Sequence, residues 1–302
     1  MPTRHLAVHY LGGDGAPTLY AHATGFHSHI WCPIAEQLRG LHNVGYDARG
    51  HGDTPIGAGW PNPDALDWGV YGDDAALVAH SLSVDGRVLG VGHSMGGAAL
   101  LMAALAAPEL FSGLVVYEPI VMAPGGGTPA GSANPLAANP LAANALAANP
   151  LADGARRRRS SFPSFEAAIA NYAAKPPMNI FTPEALEAYV RYGFRQGEDG
   201  LVHLKCSPEH EARTYEAGGN HRTWERLGEI SVPVWVIAGE PQPGQPSANT
   251  ANLAAQIPGA RYIQLDHLGH FGPMQAPDEI AALVGEASRT FHHGGNDPFL
   301  PD

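Results

Sequence analysis

Ser94 lies in Gly92-His93-Ser94-Met95-Gly96-Gly97, a G-x-S-x-G pattern. That spacing has a physical reason. A serine at a sharp turn from strand to helix holds a strained backbone, and only small residues fit on either side of it. The turn lifts the hydroxyl above the sheet. The helix that follows points its positive N-terminal end at any oxyanion forming there. The required context is present. Val88 to Val91 is a short apolar run that predicts a buried strand, and Ser94 to Ala107 is Ala- and Leu-rich up to Pro108, which predicts a helix. A serine hydroxyl is a poor nucleophile at neutral pH, so such a site also needs a base within hydrogen-bond reach.

The elements that must position this serine alternate along the chain. Strands are predicted at Leu6–Tyr10, Thr18–His22, His42–Tyr46, Val88–Val91, Leu114–Tyr117, Val234–Ala238 and Tyr262–Leu265. Helical patterns cover Trp31–Leu38, Val70–Leu82, Ser94–Ala107, Thr250–Gln256 and Asp278–Ser288. Alternation of this kind implies βαβ units and a parallel sheet, an α/β fold. Gly12-Gly13-Asp14-Gly15 reads as a hairpin turn, and without a following Lys-Ser/Thr pair it is no phosphate loop.

The pattern breaks over residues 120–160, which are rich in Gly, Pro, Ala and Asn. A five-residue repeat starts at Asn134, Asn139, Asn144 and Asn149. Four copies make only about one coil of a pentapeptide β-helix, too little for a continuous core, so a low-complexity insertion is the expectation. Arg156 to Arg159 follow; a run of arginines can bind anions, but solvated linker charge is the default. Phe165 to Leu227 reads as helical, with Thr182-Pro183-Glu184 as a helix start: cap, proline at the first position, acid near the dipole. The expected organisation is a core of residues 1–119 and 230–291, a mainly helical cap at 120–229 containing the 134–153 repeat, and a flexible tail at 292–302.

Over most of residues 17–119 and 230–288 the chain resembles the α/β-hydrolase superfamily of serine hydrolases, esterase- and lipase-like, with an inserted cap. Four segments carry the resemblance. Besides the serine motif these are His22-Ala-Thr-Gly-Phe26, similar to the H-G-type loop that supplies an oxyanion donor; Asp47-Ala-Arg-Gly-His-Gly-Asp-Thr54, similar to D-x-R-G-x-G-x-S; and Gly269-His270-Phe271 followed by Pro277, similar to the segment carrying the catalytic histidine. The resemblance implies His270 as general base. Nearby His267 is the rival, but lacks the following Phe and the Pro at the right distance. The family's usual acid lies in Gly-x-x-Asp after the strand here ending at Ala238, but this chain has Gly239-Glu240-Pro241-Gln242, and an amide cannot stabilise an imidazolium as a carboxylate does. Glu118, after the preceding strand, is favoured because it keeps the order Ser94, Glu118, His270; Glu240 is the alternative. The oxyanion donors are expected to be the backbone N–H groups of Met95 and Phe26, with Thr24 the less favoured choice for the second.

The implied reaction is hydrolysis of a small-molecule carboxylic ester through an acyl-enzyme on Ser94. The same triad also suits a lactone, a carbon–carbon bond or acyl transfer, and the scaffold can serve as a ligand receptor. Epoxide hydrolases and haloalkane dehalogenases share the fold but use an Asp nucleophile, which Ser94 argues against. No cofactor and no metal are implied. His22, His27 and His29 cluster, but no Asp, Glu or Cys completes a tetrahedral set. Trp60, Trp68 and Trp224 are expected to pack. The net charge of −12 over 302 residues repels phosphate backbones, so nucleic acid is no expected partner. Cys32 and Cys206 make no disulfide framework. No signal peptide or membrane span is read, and a cytoplasmic location is expected.

Overall fold

Seven strands form the main sheet. They are β1 (Val8–Gly12), β2 (Ala16–Ala21), β3 (Leu41–Tyr46), β4 (Val88–His93), β5 (Phe111–Tyr117), β9 (Val234–Gly239) and β10 (Arg261–Leu265). The computed structural model describes residues 5–56, 67–123, 149–218 and 221–293. The spatial order is β1-β3-β2-β4-β5-β9-β10, with every neighbouring pair parallel except β1 and β3. The expected α/β class with a mostly parallel sheet is what the chain forms. The Gly12–Gly15 turn, however, is not a hairpin. It joins β1 to β2, yet β1 pairs with β3, which leaves β1 as an antiparallel edge.

The interior strands are apolar because both of their faces are covered. All seven residues of β5 are buried. Its side chains alternate, as the period-2 pleat requires. Leu114 and Val116 join the core beneath α2 (Gly69–Leu82) and α3 (Met95–Ala106). Val115 and Tyr117 face the other way, into the core shared with α1 (Cys32–Ala35) and α11 (Pro277–His293). The helix read at Trp31–Leu38 is shorter than expected: a 3-10 turn over Ser28–Trp31, then the four residues of α1.

Between β5 and β9 the chain forms α4 (Pro150–Arg157), α5 (Phe165–Ala173), α6 (Pro183–Gly193), α7 (Pro208–Ala217) and α8 (Thr223–Arg226). It also forms a small antiparallel sheet, β6 (Ser161–Phe162), β7 (Phe194–Gln196) and β8 (Val202–Leu204), in the order β6-β8-β7. The helical reading of 165–227 missed β7 and β8, because three-residue strands are too short to show a period. The Thr182 cap forms as read, its Oγ1 accepting from the Ala185 N–H at 3.2 Å. The last repeat copy enters α4. Asn149 caps that helix, accepting from Leu151 and Ala152 N–H groups at 3.2 Å, and Pro150 takes its first position. The rest of the repeat, Trp60 and residues 294–302 of the tail lie outside the described residues, whereas residues 292 and 293, expected in the flexible tail, end the last helix, Pro277–His293. Trp68 packs as expected and donates from Nε1 to the Thr214 carbonyl at 3.0 Å. Among the described residues no helix is long and apolar enough to cross a membrane.

After β10 the chain turns through α10 (Gly272–Gln275) into α11. Alignment at one sheet end matters most. His93 of β4 pairs with Tyr117 of β5, which pairs with Ile237 of β9. The residues just past these strands, Ser94 and Glu118, therefore emerge side by side at the C-terminal edge, where open parallel sheets place their sites.

Candidate active site

Ser94 has φ 54 and ψ −115, outside the ordinary regions for an L-residue, and it joins β4 to α3. Neighbouring backbone over-determines this conformation. The Ser94 N–H donates to the Tyr117 carbonyl at 3.0 Å, and its own carbonyl accepts from Ala98 and Ile120. Gly96 lets α3 pass close to β2: a Cβ there would lie 2.2 Å from the Ala21 carbonyl oxygen. Met95 opens α3, so its N–H has no partner within the helix.

Glu118 is the second strained residue, with φ 41, and is fully buried. Its backbone N–H donates to the Ile237 carbonyl at 2.9 Å. Its Oε1 accepts from the Gly239 N–H at 2.8 Å. Its Oε2 accepts from Nδ1 of His270 at 2.7 Å. A carboxylate only accepts, so this contact puts the proton of neutral His270 on Nδ1 and leaves Nε2 as the basic atom. Glu240 is exposed and takes a hydrogen bond from Gln242 Nε2 at 3.1 Å. His267 pairs with Glu279 at 2.7 Å on the surface. The structure brings His270 to Glu118 and to neither alternative.

The loop bearing His270 is fastened by side chains the sequence did not point to. His93 Nε2 donates to the His270 carbonyl at 2.7 Å, Tyr117 Oη donates to the Gly269 carbonyl at 2.7 Å, and Gln275 Oε1 accepts from the Gly269 N–H at 3.0 Å. Burial, with the charge of His270 beside it, holds His93 well below the usual histidine range, so it stays a neutral donor. Burial likewise raises Tyr117 and keeps its hydroxyl protonated. For His93 the clue was its place beside Ser94; for Tyr117 and Gln275 no local signal existed.

The expectation at Phe26 needs correction. Its N–H donates to the Ala23 carbonyl at 3.1 Å and closes the turn Ala23–Phe26, so it is already engaged. Gly25, at φ 80, has the third-position geometry of a type II turn. Thr24 is the second residue of that turn, and its hydroxyl reaches Met95 Sδ at 3.4 Å. His22 fixes the turn from behind. Its Nδ1 donates to the Ala23 carbonyl at 2.8 Å, and its Nε2 accepts from the Ala48 N–H at 2.9 Å.

Both His22 nitrogens are thus committed, and His27 Nε2 meets the Tyr189 carbonyl at 3.0 Å. A different trio, His9, Asp47 and Asp53, brings its ligand atoms within 4.8 Å. Their polar atoms are already engaged: Asp47 accepts from the N–H groups of Ser28 and Asp53 at 2.7 and 2.8 Å and meets His9 Nε2 at 3.1 Å, and Asp53 pairs with Lys205. In the same segment Arg49 grips Asp74 of α2. The D-x-R-G resemblance therefore marks a structural knot beneath the site.

The alpha/beta hydrolase family model matches residues 19–283. The chain belongs to the alpha/beta hydrolase family. This alpha/beta hydrolase is 34% identical over 121 residues to the lipase LipV of Mycobacterium tuberculosis, covering 40% of the chain and 44% of LipV. It is 33% identical over 58 residues to the rhodomycin D methylesterase DauP of a Streptomyces species, covering 19% of the chain and 20% of DauP. The aligned stretches thus span less than half the length of these relatives. Among solved structures, the peroxisomal alpha-beta-hydrolase Lpx1 of Saccharomyces cerevisiae superposes with a TM-score of 0.77 at 15% identity, over 98% of this hydrolase and 84% of Lpx1.

Proposed function

We propose that the chain is a carboxylic ester hydrolase that works through an acyl-enzyme on Ser94. The observation that carries this reading is the hydrogen bond from His270 Nδ1 to buried Glu118, formed beside a strained serine at a helix N-terminus. Ser94 Oγ attacks the ester carbonyl while His270 Nε2 takes its proton. Glu118 stabilises the imidazolium through Nδ1. The oxyanion is held by the Met95 N–H and the Thr24 N–H, each donor worth about 3–4 kcal/mol in the transition state. His270 returns the proton to the departing alcohol. It then activates a water that releases the acid and frees Ser94.

Of residues 120–229, the described residues 149–218 serve as the cap over this site, and the described residues of 1–119 and 230–291 form the core. The lipase and methylesterase names of the aligned relatives agree with ester chemistry. A fluorophosphonate that adds to Ser94, located by peptide mass, together with p-nitrophenyl ester turnover that disappears in Ser94→Ala, supports this function. An unlabelled Ser94, or turnover that survives Ser94→Ala, overturns it.

A further inference from the structure

A cavity of about 560 Å³ lies against the proposed oxyanion turn. Gly25, Phe26 and Phe271, the neighbour of His270, wall it on the core side. The lining also includes Arg157, Arg158, Arg159 and Lys175, with Glu211 as the one carboxylate among the described lining residues. Four cations face one anion, in a chain whose net charge is −12. A low-dielectric cavity with such a lining concentrates anions.

Arg158 is the centre of this wall. The arginine run predicts solvated linker charge here, but the Arg158 side chain is only 17% exposed. Its guanidinium donates to Glu211, to the Tyr189 hydroxyl and, at 3.2 Å, to the Tyr172 hydroxyl. This group presses on the oxyanion turn. A Cβ on Gly25 would lie 2.6 Å from Glu211 Oε1 and 3.4 Å from Arg158 Nη1. Arginine carries five donors in a planar fork; Glu211 takes one and the two tyrosine hydroxyls take two, which leaves two for a ligand. Arg159 and Lys175 satisfy themselves with neutral groups, the Ser161 carbonyl and Asn171 Oδ1. With four cations against one carboxylate, the lining is three carboxylates short of neutral.

We propose that this cavity holds a free carboxylate on the substrate, and that Arg158 is the specificity-determining residue for it. The inference rests on ester hydrolysis at Ser94. The substrate class is then a half-ester or acylated hydroxy acid, with one ester carbonyl at Ser94 and an ionised carboxylate on Arg158. A monoanionic, planar carboxylate matches the arginine fork and two tyrosine hydroxyls, while Glu211 disfavours a phosphate dianion.

The test uses two pairs that differ only by a carboxylate in place of a methyl group: monoethyl glutarate against ethyl pentanoate, and 3-acetoxypropanoate against propyl acetate. Hydrolysis is followed by pH-stat. Wild type should favour the anionic member of at least one pair by about tenfold or more in kcat/KM, as for charge-assisted hydrogen bonds. In Arg158→Gln that preference should vanish, read as the ratio of kcat/KM within each pair whatever the variant's absolute rate. Equal rates within both pairs, or a preference unchanged in Arg158→Gln, overturns the proposal. If Arg158→Gln does not fold, Lys175→Gln and Arg157→Gln replace it and should each reduce the preference. If no ester turns over at all, the proposed function fails, and the carboxylate site is judged by calorimetry with glutarate alone. Binding weakened in the arginine variant supports the site, and no binding to wild type overturns it.

Discussion

A carboxylate on Nδ1 fixes which nitrogen of His270 is left basic, and the backbone around Glu118 fixes that carboxylate in place. The sequence favours Glu118 over Glu240 from its place after the preceding strand, but does not show the contact. The separation lies in the register of β4, β5 and β9, which brings Glu118 beside Ser94 and leaves Glu240 in solvent. The oxyanion turn shows the same limit. Phe26 and Thr24 are two residues apart, and only the turn's hydrogen bond reveals which N–H is engaged. A direct check follows at this scale. The second position of a type II turn accepts proline, so Thr24→Pro should keep the turn while deleting the donor. Its kcat on a p-nitrophenyl ester should fall about 10²–10³-fold, whereas Thr24→Ala, which keeps the N–H, should stay near wild type.

The elements were legible where they are long and periodic, and less so where tertiary pairing overrides local pattern. Strands β2 to β5, β9 and β10 and helices α2 and α3 fall within a few residues of their reading, because buried parallel strands are apolar runs and α3 has no breaker before Pro108. β1 joined β3 instead of its sequence neighbour, a choice that no turn sequence specifies. Arg158 looked like part of a solvated run, yet it follows α4 directly and is carried inward against α7. The packing of α3 on β2 makes a sharp prediction. Gly96→Ala sets a methyl 2.2 Å from backbone that has no room to move, and should cost about 3 kcal/mol or prevent folding. Gly154→Ala, at an exposed position of α4 with nothing within 4 Å, should be neutral or stabilising by up to about 1 kcal/mol. Urea titration of the two variants compares them.

Across the whole molecule, buried histidines set the response to acid. Burial lowers His27 to about 3 and pushes His51 and His93 well below the usual range. Below about pH 6.5 the unfolded chain gains protons that the folded chain cannot hold, so stability falls as pH falls through that window. The three rings act in the same direction, so their losses add through this window. Asp47 acts in the same direction. Burial pushes it up, but the His9 hydrogen bond and other partners bring it below the ordinary carboxylate range, so its stabilisation is lost in stronger acid. His9 is the opposite case. Its bond to Asp47 raises it, so that contribution is present below pH 6.5 and fades as pH rises through the raised value. The three buried histidines outweigh it. Thermal unfolding from pH 8 to 5 should show a Tm that drops steeply below 6.5; a flat profile would mean these rings are not held neutral in the fold.

The most direct test of the central claim is kcat on one p-nitrophenyl ester for Glu118→Gln and Glu240→Gln beside wild type. A Ser94–His270–Glu118 triad predicts a loss of about 10³–10⁴-fold in Glu118→Gln, as when the carboxylate that orients a catalytic histidine is neutralised, with Glu240→Gln unchanged. A large loss in Glu240→Gln with Glu118→Gln near wild type would contradict the account.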